Sequence, residues 1–169
     1  MKKREYPLLN RAIASWFPPG STFKIITALS ALKEGICTKN SWFFCGGSYR
    51  VGNSLFYCFV RQGHKRINFE DAIAYSCDVV FYQLGQKLGI DRLVKFAKMM
   101  GLGKKTGIDL PGESPGLLPD RNWREKIYQK PWYEGDTVNL AIGQGFLGVT
   151  PLQLVVMTAA LANGGAVVR

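Results

Sequence analysis

The chain has 169 residues, of which 47% are hydrophobic and 12% aromatic, a composition typical of one globular domain with a sizeable core. Its 22 basic and 12 acidic residues give a net charge of +10, but the basic residues are scattered without an arginine-rich run, so we expect a solvated cationic surface and no nucleic-acid partner. Residues 1–7 lead into no apolar core, and the apolar stretch 151–168 is interrupted by polar residues and glycines, so we expect neither a signal peptide nor a membrane span within the chain.

The first predicted helix follows two prolines and a glycine. Residues 1–17 are expected to be short and irregular, whereas residues 23–33 form a mostly apolar run closed by Gly35, which predicts a helix. Ser21 then lies at the helix N-terminus, where the first amides lack helical partners and can hold an oxyanion. Lys24 lies one turn further along the same face. A serine beside an amine that can lose its proton is a nucleophile–base pair.

A plainer interpretation of this motif is that Ser21 only caps the helix and Lys24 is a solvated helix lysine. Both arrangements are common in proteins, so Ser-x-x-Lys by itself is a weak indication of catalysis. The rest of the chain must decide between the two interpretations.

The middle of the chain predicts loops, short strands and two helices. Residues 36–66 carry several glycines between aromatic residues, which predicts a loop with extended pieces at 48–51 and 55–60. Asn68 followed by Asp71 is typical of a helix start and predicts a short helix over 69–75. A second helix is predicted over 79–88, ending at Gly89.

The last third of the chain predicts two more helices. Asp91 is expected to cap a helix over 92–100. Residues 101–135 are rich in glycine and proline and predict a long ordered loop. Thr150-Pro151-Leu152-Gln153 combines a cap residue, a proline at the first position and a glutamine at the third, which predicts a helix running to about residue 162.

A second group of chemically useful side chains lies at Ser76-Cys77-Asp78, between two predicted helices. Side chains on such a turn can project into a cleft, where a hydroxyl and a carboxylate two residues apart can relay a proton. Serine and aspartate are also ordinary turn residues, so this motif alone indicates less than the first.

Taken together, the motifs at Ser21 and Ser76 resemble those of the penicillin-binding transpeptidases, which use a serine with lysine, a Ser-x-Asn/Asp turn and a Lys-Thr-Gly strand. The resemblance extends over about residues 8–165 and is closest to penicillin-binding protein 2, the class B enzyme type of cell-wall elongation, in which Asp also occupies the position of Asp78. The matching segments are Leu8-Leu9-Asn10-Arg11-Ala12, Gly89-Ile90-Asp91-Arg92-Leu93, Thr106-Gly107-Ile108-Asp109-Leu110, the segment Lys130 to Thr137, and Ile142-Gly143-Gln144-Gly145.

This resemblance implies an α+β fold of the penicillin-binding transpeptidase and serine β-lactamase type, of which residues 1–169 form a partial domain that is mostly the helical lobe. It implies that Lys24 takes the proton of Ser21, that Ser21 attacks a D-Ala-D-Ala stem peptide, and that Ser76 helps to protonate the leaving D-Ala. Asp78 is then expected to contact Ser76 and Lys24. Residues 143–145, which are Gly143, Gln144 and Gly145, are expected to line the cleft.

The resemblance also implies partners and a location. The expected partners are peptidoglycan stem peptides, β-lactams and membrane proteins of the elongation machinery, including a glycosyltransferase. The expected location is the periplasmic face of the bacterial inner membrane, through an anchor outside this chain.

The tripeptide Lys105-Thr106-Gly107 spells the third family motif, but we interpret it as non-catalytic because it lies in a loop after a predicted helix. The family's Thr-Gly-Ile-Asp-Leu-Pro segment matches it at this position. We expect the catalytic Lys-Thr-Gly strand, like the pedestal domain and membrane anchor, to lie outside residues 1–169.

Two rival functions remain open. One is a serine β-lactamase or β-lactam sensor, which shares the Ser-x-x-Lys start but not the matches at residues 8–12 and 130–137. The other is a non-catalytic helical module held together by zinc.

The four cysteines have two interpretations. In an exported protein they indicate disulfides, whereas Cys45, Cys58, His64 and Cys77 together offer the ligands of a metal site. Their spacing is not the tight Cys-x-x-Cys pattern, but glycines beside Cys45 and His64 suit sharp turns that present ligands.

The resemblance favours the metal. Some relatives of penicillin-binding protein 2 hold a zinc ion beside the active site, and the matching positions here are Cys45, Cys58, His64 and Cys77. Three thiolates and an imidazole would make a closed structural site for one zinc ion, with Cys77 holding the Ser76–Asp78 turn. Cys37 is left over as a packed or free thiol.

Overall fold

The computed structural model describes residues 8–168, so the expectation for residues 1–7 lies outside the described part of the chain. These residues form seven α-helices and four short strands. The helices are α1 (Arg11–Ala14), α2 (Lys24–Lys33), α3 (Phe69–Ala74), α4 (Asp78–Met99), α5 (Arg121–Tyr128), α6 (Glu134–Ala141) and α7 (Pro151–Ala162), and the strands are β1 (Trp42–Cys45), β2 (Ser48–Val51), β3 (Ser54–Tyr57) and β4 (Lys65–Asn68). Among residues 8–168, no helix combines the length and the apolar character needed to cross a membrane.

Three helices confirm the predictions made from their starting residues. A 3-10 turn over Gly20–Phe23 leads directly into α2. Asn68 caps α3 by accepting a hydrogen bond from the amide of Asp71 at 2.7 Å. In α7, Thr150 and Gln153 exchange side-chain-to-amide bonds, the reciprocal arrangement of a capping box.

Three other helices were not predicted. Helix α1 is a single turn capped by the side chain of Asn10, too short to show a hydrophobic period. The expectation of a long loop over residues 101–135 is wrong at its end, because Asp120 caps α5 by accepting from the Trp123 amide at 2.8 Å. Helix α6 starts where Asp136 accepts from the Tyr133 amide at 3.0 Å.

Helix α4 replaces two predicted helices. It continues from Asp78 to Met99 through a local kink at Gly89, whose φ of 72° and ψ of 164° are not helical. The prediction that Gly89 interrupts the helix is therefore confirmed. The two predicted helices are nevertheless joined into one kinked helix, without a loop between them. Asp91 does not serve as a free-standing cap; its carboxylate accepts a hydrogen bond from Arg121 at 3.3 Å.

The segment between α2 and α3 forms two nested two-stranded antiparallel sheets. The two predicted extended pieces are strands β2 and β3, although β3 begins and ends earlier than expected, and they pair with Ser48 opposite Tyr57, which was not predicted. Strands β1 and β4 were not predicted; they pair from Trp42 opposite Asn68 to Cys45 opposite Lys65. Two-stranded sheets are marginal by themselves, so this segment depends on what it packs against.

The core lies around α4, which packs against α2 on one side and α6 on the other. Phe23 just before α2, Ile26 in α2 and Phe81 in α4 are fully buried. On the other side Gly85 faces Ala141 so closely that an added methyl group would collide with the alanine side chain. Because α2 and α4 begin at Lys24 and Asp78, their packing brings both candidate catalytic motifs together.

The Lys105-Thr106-Gly107 segment lies in a loop, as interpreted from the sequence, and not in a strand. The buried carboxylate of Glu113 accepts hydrogen bonds from the Thr106 amide at 2.5 Å, the Thr106 hydroxyl at 2.6 Å and the Gly107 amide at 3.2 Å. Burial raises the pKa of Glu113, but these hydrogen bonds and the charge of Lys105 outweigh burial, so its pKa is lowered overall.

A substitution of Glu113 tests this loop. Because its pKa is lowered in the folded state, the carboxylate stabilises the fold above the ordinary glutamate pKa, and this stabilisation is lost as the pH falls through the lowered value. We expect Glu113→Gln to reduce the free energy of unfolding by about 1–3 kcal/mol at pH 7, since an amide cannot accept all three bonds. Thermal unfolding between pH 7 and pH 3 should show the two proteins converging in acid; a constant difference would contradict this account.

Candidate active site and metal centre

Ser21 lies on the 3-10 turn that opens α2, and its side chain does not cap the helix. Its hydroxyl oxygen accepts a hydrogen bond from the hydroxyl of Ser76 at 2.9 Å. Ser21 is exposed, whereas Phe23 and Lys24 on either side of the turn's end are buried. The capping interpretation is therefore not supported, and the candidate nucleophile is open to solvent.

Lys24 lies behind Ser21 and is almost fully enclosed. Its ammonium donates three hydrogen bonds: to the Asp78 carboxylate at 2.6 Å, to the Ser76 carbonyl at 2.7 Å and to the Ser76 hydroxyl at 2.9 Å. The interpretation of Lys24 as a solvated lysine is wrong, because only 4% of its side chain is exposed. Lys24 and Ser21 are thus connected through the Ser76 hydroxyl.

The Ser76–Asp78 turn has an unusual backbone. Ser76 has a φ of 51°, in the left-handed region that residues other than glycine seldom adopt. This conformation directs both the carbonyl and the hydroxyl of Ser76 toward Lys24. Strained residues of this kind persist where surrounding contacts hold them, and they are common in active sites.

The segment 142–145 also lies against the nucleophile turn. The amide of Gly20 donates to the carbonyl of Gly143 at 2.9 Å, and a side chain at Gly143 would collide with the backbone of Gly20. Gln144 and Gly145 follow on the exposed side. Gly143 therefore fixes the start of the turn that carries Ser21, while its neighbours are free to meet a ligand.

The structure brings Cys45, Cys58, His64 and Cys77 together. Their ligand atoms all lie within 4.8 Å of one another, and the Cys58 sulfur is 3.6 Å from His64 Nδ1. Four atoms held tetrahedrally at about 2.3 Å from one ion are roughly 3.8 Å apart, so this spacing suits a zinc-sized ion. All four cysteines of the chain are free thiols in the structure, without disulfides.

The electrostatics of the cluster also suit a cation. Burial raises the pKa of the Cys77 thiol well above its usual range, and the neighbouring Cys45 and Cys58 raise it further, while a hydrogen bond from the Val80 amide opposes them. Three ionised thiolates this close would repel one another, and a divalent cation would remove the repulsion. The donor set, with its three buried thiols, therefore fits zinc.

Two glycines allow the ligand loops to approach. Gly47 and Gly63 have φ values of 93° and 77°. A side chain at Gly63 would collide with the carbonyl of Cys45, and one at Gly47 would collide with the carbonyl of Arg61. Only residues without a side chain permit this contact between the loop after β1 and the loop before β4.

Cys37 lies outside the cluster, as expected. It is buried near the end of α2, and burial raises the pKa of its thiol, with Lys87 acting weakly in the opposite direction. It behaves as a packed apolar side chain.

One contact in the site was not predicted. The main-chain amide of Phe59 donates to the second oxygen of the Asp78 carboxylate at 3.1 Å. A main-chain donor has no residue type of its own, so no sequence pattern indicates it. The sequence indicates only that Phe59 directly follows Cys58, a candidate metal ligand.

Comparison with known proteins identifies close relatives. Residues 1–169 match the family described as "Penicillin binding protein transpeptidase domain". The chain is 40% identical over 167 residues to peptidoglycan D,D-transpeptidase MrdA of Salmonella typhimurium, which covers 98% of this chain and 27% of that protein. The chain therefore spans about a quarter of the length of the curated relative.

Solved structures agree with this match. Pseudomonas aeruginosa PBP2 in complex with WCK 5153 has a TM-score of 0.93 at 43% identity, covering 96% of this chain and 36% of that one. PBP2 of Helicobacter pylori, in its complex with MreC, has a TM-score of 0.90 at 39% identity, covering 94% of this chain and 30% of that one.

The ion pair at the centre of the site makes a stability prediction. Asp78→Ala would leave the enclosed Lys24 ammonium without its counter-charge, so we expect a loss of about 3–5 kcal/mol in the free energy of unfolding. Glu34→Ala is the matched control, because its pair with Arg92 spans 3.6 Å between exposed side chains and should cost under about 1 kcal/mol. Denaturant unfolding checks both; similar small losses would contradict the assigned role of the Lys24–Asp78 pair.

Proposed function

Because the chain belongs to the penicillin-binding protein transpeptidase family, we propose that it is the central part of a peptidoglycan D,D-transpeptidase that works through a serine acyl-enzyme. The expected α+β transpeptidase fold is confirmed by the structural neighbours, with this chain forming a mostly helical part of it. The observation that carries the proposal is the continuous hydrogen-bond line from Lys24 through Ser76 to Ser21.

This line defines a route for a proton. When Lys24 is neutral, the Ser21 proton can pass to the Ser76 oxygen while the Ser76 proton passes to Lys24. The Ser21 oxygen then forms a bond to the carbonyl carbon of the penultimate D-Ala of a stem peptide. The first-turn amides at Ser21 stabilise the charge that develops on the carbonyl oxygen.

The same groups complete the reaction. The bond from the carbonyl carbon to the nitrogen of the terminal D-Ala breaks, and this nitrogen receives a proton from the Ser76 hydroxyl. The Lys24 ammonium then donates a proton to Ser76, which restores its hydroxyl. The amine of a second stem peptide then attacks the acyl-enzyme, and its proton returns through Ser76 while Ser21 is released. Asp78 holds the Lys24 ammonium at each stage in which Lys24 is protonated. The exposed residues Gln144 and Gly145 would line the cleft beside the peptide.

The proposed metal is one structural zinc ion held by Cys45, Cys58, His64 and Cys77. The close approach of their ligand atoms supports this proposal. Bound there, zinc would supply a positive charge and a cross-link between loops, with all four positions taken by protein. Because Cys77 lies between Ser76 and Asp78, the cluster would hold the catalytic turn in place.

The proposed setting is cell-wall elongation at the periplasmic face of the bacterial inner membrane. Stem peptides are the proposed substrates and β-lactams the proposed inhibitors. PBP2 of H. pylori was solved in a complex with MreC, which supports a protein partner. The proposed partners are membrane proteins of the elongation machinery, including a glycosyltransferase.

Substitution of Ser21 tests the nucleophile. We expect Ser21→Ala to abolish covalent labelling of the complete protein by a fluorescent penicillin, since it removes the hydroxyl that Ser76 contacts and that is proposed to attack the β-lactam. Thr22→Ala is the matched control on the same turn; its hydroxyl only donates to the Pro19 carbonyl at 2.8 Å, so labelling should persist. Label remaining on Ser21→Ala would refute the assignment.

The lifetime of the penicillin-labelled protein distinguishes a transpeptidase from the alternative function, a serine β-lactamase. A transpeptidase trapped by penicillin should keep its label for many minutes, whereas a β-lactamase would release it by rapid hydrolysis. Label that disappears as fast as free penicillin is hydrolysed would favour the β-lactamase alternative.

Metal analysis tests the zinc site. We expect one zinc per chain in protein purified without chelator, and we expect Cys58→Ser to lose zinc and unfold at a lower temperature, because binding energy in such a site is folding energy. Cys37→Ser, a buried thiol outside the cluster, is the matched control and should keep its zinc. Absence of zinc together with missing free thiols would show that disulfides form instead.

A further inference from the structure

The Asp78 carboxylate has a donor on each of its oxygens. Oδ1 accepts from the Lys24 ammonium at 2.6 Å, and Oδ2 accepts from the main-chain amide of Phe59 at 3.1 Å. The carboxylate is largely enclosed, with 15% of the side chain exposed. We propose that the Phe59 amide is a positioning group that fixes the Asp78 carboxylate, and through it Lys24, for acylation of Ser21.

The second hydrogen bond restricts the carboxylate's orientation. With Lys24 alone, the carboxylate could rotate about its bond to Cβ and still accept one hydrogen bond. With Phe59 on the other oxygen, rotation would break one of the two contacts. The Lys24 ammonium also donates a hydrogen bond to the Ser76 hydroxyl. A small rotation of the Asp78 carboxylate would therefore draw the ammonium away from this hydroxyl.

The pair of donors accounts for aspartate at position 78. A carboxylate accepts hydrogen bonds on both oxygens, whereas an asparagine amide offers one oxygen and an NH₂ group that only donates. With asparagine, either the Lys24 ammonium or the Phe59 amide would face another donor. The chemical identity of residue 78 is thus matched to a main-chain group in a different segment of the chain.

The position of the Phe59 amide is set by the cysteine–histidine cluster. Phe59 directly follows Cys58, whose amide donates to the Gly47 carbonyl at 2.9 Å and whose sulfur lies 3.6 Å from His64 Nδ1. The Phe59 ring also meets the His64 ring edge-on, with centroids 5.6 Å apart. The loop that carries the cluster therefore reaches the catalytic ion pair by a second route, besides the one through Cys77.

The ring of Phe59 is 63% exposed and contacts His64. An experiment that changes the amide and keeps the ring therefore tests the hydrogen bond to Asp78 without removing this contact.

The test replaces the amide of residue 59 by an ester, through incorporation of phenyllactic acid in place of Phe59 in the complete protein. The ester keeps the ring and removes the main-chain N–H that donates to Asp78 Oδ2. Stopped-flow acylation by a β-lactam yields the acylation rate constant and the dissociation constant of the prior non-covalent complex separately. Loss of one hydrogen bond to a charged group predicts an acylation rate constant lower by about tenfold, with an unchanged dissociation constant.

Two controls distinguish positioning from damage to the loop. The same ester exchange at Val60, whose amide donates no hydrogen bond to any of residues 8–168, keeps the Phe59 amide and should leave the acylation rate within about threefold of the parent protein. The metal content and the unfolding temperature of the ester protein should match those of the parent. A parent-like acylation rate in the Phe59 ester protein, or equal slowing in the Phe59 and Val60 ester proteins, would overturn the proposal.

A double-mutant cycle with Asp78→Asn gives a readout that general destabilisation would not produce. When the Phe59 amide is present, the NH₂ group of asparagine at position 78 faces the Phe59 N–H, and both groups are donors. When the ester replaces this amide, the same NH₂ group faces an ester oxygen, which is an acceptor. Asp78→Asn should therefore slow acylation at least about fivefold less in the ester background. Additive effects would contradict the proposed pairing.

This inference rests on the proposed function, and the two can fail separately. If the Ser21→Ala variant were still labelled by penicillin, the proposed acyl-enzyme at Ser21, and with it the proposed function, would be refuted. Loss of labelling in Ser21→Ala combined with normal acylation of the ester protein would leave the proposed function standing and refute only the role of Phe59.

Discussion

The buried pair between Lys24 and Asp78 is the interaction on which the rest of the site depends. The two residues begin α2 and α4, lie 54 positions apart in sequence, and meet at 2.6 Å. An ammonium enclosed to this extent is strongly unfavourable without a counter-charge, so the pair and the packing of α2 against α4 stabilise each other. Ser21 and Ser76 are brought into contact by the same geometry, since each lies within three residues of one partner.

The segment between α2 and α3 has little regular structure of its own, so it must be stabilised by other contacts. Its two-stranded sheets are held where Gly47 and Gly63 let two loops come closer than any side chain allows. The buried thiols gather at that crossing. On the proposal made above, one zinc ion would supply there the cohesion that a small sheet lacks, and would transmit it to the catalytic turn through Cys77 and Phe59.

Lys105-Thr106-Gly107 illustrates how position determines chemistry. These three residues have the types expected of a catalytic Lys-Thr-Gly strand, but they lie in a loop, with the Thr106 hydroxyl and two amides bound to the Glu113 carboxylate. Groups engaged in this way stabilise the loop and are not free to bind a substrate. A tripeptide therefore indicates a function only with its structural context.

The sequence by itself determined the features that depend on near neighbours: helices α2, α3 and α7, the side chains of the two candidate catalytic motifs, and the identity of the four metal-ligand candidates. It missed the single turn of α1, the helices α5 and α6, whose starts lie among prolines and glycines, and strands β1 and β4, which are separated by 19 residues. Only the tertiary structure decided that Ser76 stands between Lys24 and Ser21, and that the Phe59 amide holds Asp78. The physical reason is that capping and periodicity act within a few residues, whereas main-chain donors and acceptors are the same at nearly every position and gain a role only when folding places them.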